Sequence, residues 1–117
     1  MAYVDGFLLV VPRKNLKAYR RMAMLGAKLW RKHGAVEYRE CIADDLNVKF
    51  GGSYRRLLKL KPGETAVFSW IVYKSKAHRN QVNARVMKDP SMAEAPKEMP
   101  FNMKRMFWGG FKVIVDR

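Results

Sequence analysis

A chain of 117 residues, 49% of them hydrophobic, can bury one real core but is too short for two ordinary domains, so residues 1–117 are expected to form a single domain. No apolar run approaches the roughly 20 residues that span a bilayer, and the lone cysteine cannot close an internal disulfide. Membrane and disulfide-rich secreted classes therefore gain no support, and a soluble cytoplasmic chain is the expectation. The 24 Lys and Arg against 10 Asp and Glu give a net charge of +14, an excess that favours polyanionic partners or serves solubility alone.

In chain order, Tyr3 to Val11 is rich in strand formers and ends at Pro12, which cannot donate to a central ladder; this is the first strand. From Asn15 the period changes. Leu16, Tyr19, Ala23, Gly26, Trp30 and His33 recur at three- and four-residue steps and share one face of a helix, with Asn15 placed to cap its start and Gly34 to end it. Lys14, Lys17, Arg21, Lys28, Arg31 and Lys32 gather on the opposite face, and no acidic residue falls between Arg13 and Lys32. Val36 to Asp44 alternates again as a second strand. A long connection follows through Gly51-Gly52 and the cluster Leu57, Leu58, Leu60 to a turn at Pro62-Gly63. Its leucines imply packing, and the pattern leaves a short helix and an extra strand both open.

Ala66 to Tyr73 is the strongest strand, β-branched and aromatic almost throughout. Ser75 caps a second helix that runs to about Lys88, buries Val82 and Val86, and stops at Asp89-Pro90. Pro96 and Pro100 bar a further long helix. Met106 to Val115 is the fourth strand, where Gly109-Gly110 marks a bulge or a close backbone approach.

The order β, α, β, connection, β, α, β predicts an α+β, ferredoxin-like βαββαβ domain: a four-stranded antiparallel sheet with two helices on one face. Its strands are apolar on both parities, Val4, Leu8 and Val10 against Tyr3, Phe7, Leu9 and Val11 in the first. A water-facing sheet should alternate with polar residues, so the face without helices needs a cover. A second subunit is the simplest one. The expectation is a homodimer, a dimeric α+β barrel, joined through the face bearing Tyr3, Phe7, Ile71 and Trp108.

Four segments carry a family resemblance: YVDGF (Tyr3 to Phe7), WRKHGAVEYRECIADD (Trp30 to Asp45), FSWIVYKSKAHRNQVNARVMKDP (Phe68 to Pro90) and MPFNMKRMFWGGFKVIVD (Met99 to Asp116). Together they resemble the YbaA-like family of uncharacterised bacterial proteins, over nearly the whole chain. The resemblance implies the dimeric α+β barrel superfamily, in which two ferredoxin-like sheets meet face to face. Elsewhere that superfamily includes cofactor-free monooxygenases, haem-degrading enzymes, small isomerases and members without known activity, so membership implies fold rather than chemistry. The chain departs from the family pattern in its strong positive charge, and at Met103, where glycine is the more familiar residue before Lys-Arg-Met.

Templates for metal and cofactor chemistry fail. With His33, His78 and Cys41 but none of the usual ligand spacings, no metal site is expected, and neither a Walker loop nor a dinucleotide fingerprint exists, so no cofactor is expected. Cys41 reads as a small buried residue, and His78, in the first turn of the second helix, reads as a locally hydrogen-bonded histidine rather than a haem ligand. The more useful constellation is polar residues placed by parity within apolar strands: Asp5, Glu40 with Tyr38, Ser69, and Lys112 with Trp108. If the helices cover Val4, Gly6 and Leu8, these six face the partner subunit and line an inter-sheet cavity for a small, partly apolar ligand. An enzymatic alternative, a cofactor-free monooxygenase or isomerase, would use Asp5 or Glu40 as acid or base. The binding alternative is weak nucleic-acid association through phosphates at Lys14, Lys17, Arg21, Lys28, Arg31 and Lys32. It would proceed without sequence reading, because Tyr19 and Trp30 fall on the apolar side of that helix.

Overall fold

A computed structural model describes all 117 residues. Strand β1 (Tyr3–Pro12) leads through one 3-10 turn into helix α1 (Leu16–Lys32); β2 (Glu37–Ile42), a single-turn helix α2 (Tyr54–Leu57), β3 (Glu64–Tyr73), α3 (Lys76–Lys88) and β4 (Met106–Lys112) follow. The strands form one antiparallel sheet in the order β2-β3-β1-β4, the ferredoxin-like arrangement, with both long strands central and the two shorter ones at the edges. No helix is long and apolar enough to cross a membrane.

Local signals set most boundaries. Ser75 accepts a hydrogen bond from the His78 amide and starts α3, and Asp89, with its extended backbone ahead of Pro90, ends it. Gly34, at φ +114°, takes the left-handed turn that lets the chain leave α1. Asn15 occupies the N-cap position of α1, but its side chain is drawn elsewhere, donating to the Pro100 carbonyl at 3.0 Å. Asp89 ties the two helices together: its carboxylate meets Lys32 at 2.8 Å and His33 at 2.7 Å, and these partners, Lys32 foremost, hold it well below the usual carboxylate range. The long connection resolves as α2, capped by Ser53, from which Leu58 is buried against Val10 and Ala66 at one end of the sheet. The glycine pair of β4 is a close approach and not a bulge, because the register runs through it unbroken and the Tyr3 hydroxyl lies where a Gly110 side chain would be.

The core lies between the helices and the parity bearing Tyr3, Leu9, Val11, Val67, Ile71 and Tyr73, against Tyr19, Ala23 and Leu29 of α1 and Val82 and Val86 of α3. This reverses the face expected from sequence. Tyr3, Phe7 and Ile71 belong to the helix-covered side. The open side carries Val4, Leu8, Phe68, Trp70, Val72, Phe107 and Phe111, with Phe68, Phe107 and Phe111 all at least half exposed. Both parities are apolar, so alternation could not choose between them; the partners offered by the helices do. Cys41, directly opposite Phe68, is exposed on this open side and not buried.

Candidate functional site

Register places most of the candidate residues in two rows across one face. Glu40, Ser69, Phe7 and Trp108 stand side by side from β2 to β4, and Tyr38, Ile71, Asp5 and Gly110 form the adjacent row. Asp5, Tyr38, Glu40, Ser69 and Trp108 therefore share a face. That face is the one turned toward α1 and α3, and not the one expected to meet a second sheet.

Only part of the set converges. Tyr38, Glu40 and Ser69 line a cavity of about 260 Å³ between the sheet and α1, walled chiefly by apolar side chains that include Phe7, Met22, Trp30 and Ile71. Residues after α3 contribute to its wall: a 3-10 turn, Pro90–Glu94, and the irregular stretch beyond bring in Met92, Ala95, Met99 and Phe101, anchored where Asn15 holds the Pro100 carbonyl. Trp108 stays outside, stacked on Phe7 with ring centroids 5.9 Å apart, and Lys112 is exposed at the end of β4. Asp5 is buried deeper, with 2% of its surface accessible, beside Arg79 of α3; Nε and Oδ1 are 3.9 Å apart and neither atom has a hydrogen-bond partner. Burial lifts its carboxyl above the ordinary range, and the Arg79 charge and the nearby Tyr73 hydroxyl only partly oppose that.

Glu40 is the chemical centre of the cavity. The Tyr19 hydroxyl donates to its Oε1 at 2.7 Å and the Tyr38 hydroxyl to its Oε2 at 2.8 Å. Tyr38 reaches it because residues two apart on a strand share a face, and Tyr19 because the buried stripe of α1 lies directly above. Burial first, and the Glu40 charge second, push both phenols far above their usual pKa, so they stay neutral and act as donors. Tyr19, Tyr38 and Glu40 also border a second, more open depression of about 420 Å³ between α1 and β2, lined further by Arg20, Cys41 and Ile42. The three side chains thus stand between an outer depression and the inner cavity.

Sequence reasoning missed Tyr19, treated as core, and the stretch after α3 with Met92 and Phe101. A signal for Tyr19 existed: a tyrosine in a buried helical stripe needs a partner for its hydroxyl. Gly26 was counted only as part of the apolar face, yet a Cβ there would meet the Tyr38 hydroxyl oxygen at 2.7 Å. Gly26→Ala should therefore fail to deliver the roughly 1 kcal/mol that alanine usually adds inside a helix, because Tyr38 must move off Glu40. Thermal unfolding checks this, and a full gain in stability would refute the contact.

The basic candidates Lys14, Lys17, Arg21, Lys28, Arg31 and Lys32 are all exposed. Lys32 is drawn to Asp89 and Arg31 donates to the Val36 carbonyl, while Lys14, Lys17, Arg21 and Lys28 make no ion pair. No group of three or more His, Cys, Asp or Glu side chains is gathered as a metal site. His78 accepts from the Lys74 amide at 3.0 Å and packs edge-on to Tyr73.

The model of a family described as protein of unknown function (DUF1428) matches residues 2–103. Uncharacterized protein YbaA of Escherichia coli (strain K12) is 43% identical over 116 residues, 99% of each chain. Two crystal structures of dimeric ferredoxin-like proteins from uncultured marine organisms are similar in fold: one with TM-score 0.54 at 11% identity over 100% of both chains, the other 0.53 at 10% identity over 99% of this chain and 90% of its own. At that identity the likeness concerns the fold alone.

Proposed function

The chain belongs to the DUF1428 family of proteins of unknown function, the YbaA-like family, and on that premise we propose that it is a homodimeric binding protein for a small, mostly apolar molecule. In this reading residues 1–117 act as one domain. Each protomer holds its ligand between its own helices and sheet, and the dimer covers the open sheet faces. Support for the dimer comes from the uncovered aromatic face and from the two similarly folded proteins described as dimeric.

The observation that carries the binding reading is the Tyr19–Glu40–Tyr38 cluster facing a mostly apolar cavity of about 260 Å³. Small-molecule sites combine an apolar wall with a few convergent polar groups in volumes upward of about 300 Å³. This cavity has that composition and lies just below that size. The four methionines at its wall, Met22, Met92, Met99 and Met106, are flexible thioethers able to adjust around ligands of different outline.

Hexan-1-ol serves as a neutral probe. Saturable quenching of tryptophan fluorescence is expected, reported by Trp30 in the wall, and Ala95→Phe, which fills the cavity from the stretch after α3, should reduce it at least tenfold with the far-ultraviolet dichroism unchanged. Equal quenching in wild type and Ala95→Phe would locate the probe elsewhere and end this reading.

A further inference from the structure

Resting on that reading, we propose that the ligand is an organic cation, an amine or quaternary ammonium with an apolar body, whose charge is neutralised by Glu40. The argument begins with the acidic residues. Asp5 has Arg79, Glu37 has Arg39, Glu64 has Arg105, and Asp89 has Lys32 and His33. Asp44, Asp45, Glu94, Glu98 and Asp116 are exposed and solvated. Glu40 alone is drawn out of full exposure, faces an apolar cavity and has no basic partner, in a chain with 24 lysines and arginines.

A carboxylate in apolar surroundings is costly unless it is paired or fully hydrogen-bonded. Two phenols satisfy part of it. An ionised carboxylate offers about four acceptor positions, so further lone pairs on Oε1 and Oε2 remain for a donor. The other polar atoms of the cavity point the same way. Each phenol donates its O–H to Glu40 and so presents only lone pairs to a ligand, and the Ser69 hydroxyl can accept as well as donate. The site is rich in acceptors, and the one basic residue on its lining, Arg39, is already paired with Glu37 at 3.1 Å. Its walls also include two aromatic rings, Trp30 and Tyr38, with centroids 6.4 Å apart, and aromatic rings are the side chains that stabilise an ammonium group in an apolar site. The net charge of +14 does not oppose this at close range, since exposed charges are screened beyond about 10 Å at 0.1 M salt.

The experiment compares hexylammonium, hexan-1-ol and hexanoate, equal in length and different in charge, by fluorescence titration of the intact protein. Hexylammonium is expected to bind at least tenfold more tightly than hexan-1-ol, with hexanoate weakest. Glu40→Gln should bring hexylammonium to the level of hexan-1-ol while leaving the alcohol within twofold. Tyr38→Phe removes a neutral donor and not the charge, so it should keep the preference for the cation. Hexan-1-ol binding without a preference for hexylammonium, or a preference that survives Glu40→Gln, overturns the cation assignment and leaves the cavity reading standing. Failure of all three probes to bind overturns both.

Discussion

Phe68→Asp is expected to convert the protein from a dimer into a folded monomer of 13.6 kDa at micromolar concentration. Phe68 sits on central strand β3, opposite Leu8 of β1 and Cys41 of β2, on the side of the sheet away from α1 and α3, and half of its surface is exposed. Around it Val4, Trp70, Val72, Phe107 and Phe111 continue one apolar surface across three strands. Soluble monomers rarely leave so many large apolar side chains contiguous and uncovered. An aspartate in the middle of such an interface must be desolvated without a partner, which costs several kcal/mol, and each 1.4 kcal/mol weakens association about tenfold. The helix-packed core lies on the other side of the sheet, so folding should survive. Lys17→Asp, on the exposed face of α1, is the control and should remain dimeric. Sedimentation that finds wild type monomeric at the same concentration would defeat the dimer, and a dimeric Phe68→Asp would place its interface elsewhere.

The same face shows where the sequence was informative and where it was not. Strand existence, the cap at Ser75 and the stop at Asp89-Pro90 are local properties of a few neighbouring residues, and all are legible. Parity also grouped Asp5, Tyr38, Glu40, Ser69 and Trp108 on one face. What alternation could not settle was which face meets the helices, since Phe7 and Leu8 satisfy either side equally. That choice depends on contacts distant in sequence: Tyr19 reaching Glu40, Trp30 reaching Asn83, and Arg79 reaching the neighbourhood of Asp5. The stretch after α3 was obscured for a similar reason. Residues 90–101 have no periodicity, and they are tied down by the side chain of Asn15 just ahead of α1, which sequence reasoning spent on capping.

Arg79→Met is expected to destabilise the fold by about 3 to 5 kcal/mol at pH 7.5, the usual consequence of leaving one member of a buried ion pair uncompensated. Asp5 and Arg79 lie between the sheet and α3, and at 3.9 Å their charges attract without a direct hydrogen bond. Arg79 also lies over the Tyr3 ring, 5.2 Å from its centre, so methionine should retain much of the apolar packing and chiefly remove the charge. Burial already holds the Asp5 carboxyl above its value in the unfolded chain, so ionising it weakens the fold. That penalty is absent below about pH 4, grows as pH rises, and is complete above the folded-state pKa. Removing Arg79 lifts that pKa further. The deficit of Arg79→Met relative to wild type should therefore widen from acid to neutral pH, shrinking to about 1 kcal/mol near pH 4. Asp5→Asn should cost less than Arg79→Met at pH 7.5, because Arg79 keeps the Tyr3 ring and hydroxyl. The double variant Asp5→Asn/Arg79→Met should be more stable than Arg79→Met alone. Denaturant unfolding of the four proteins at pH 4.5 and 7.5 measures the coupling; a deficit for Arg79→Met that is equal at both pH values would mean that the arginine serves packing and does not compensate the Asp5 charge.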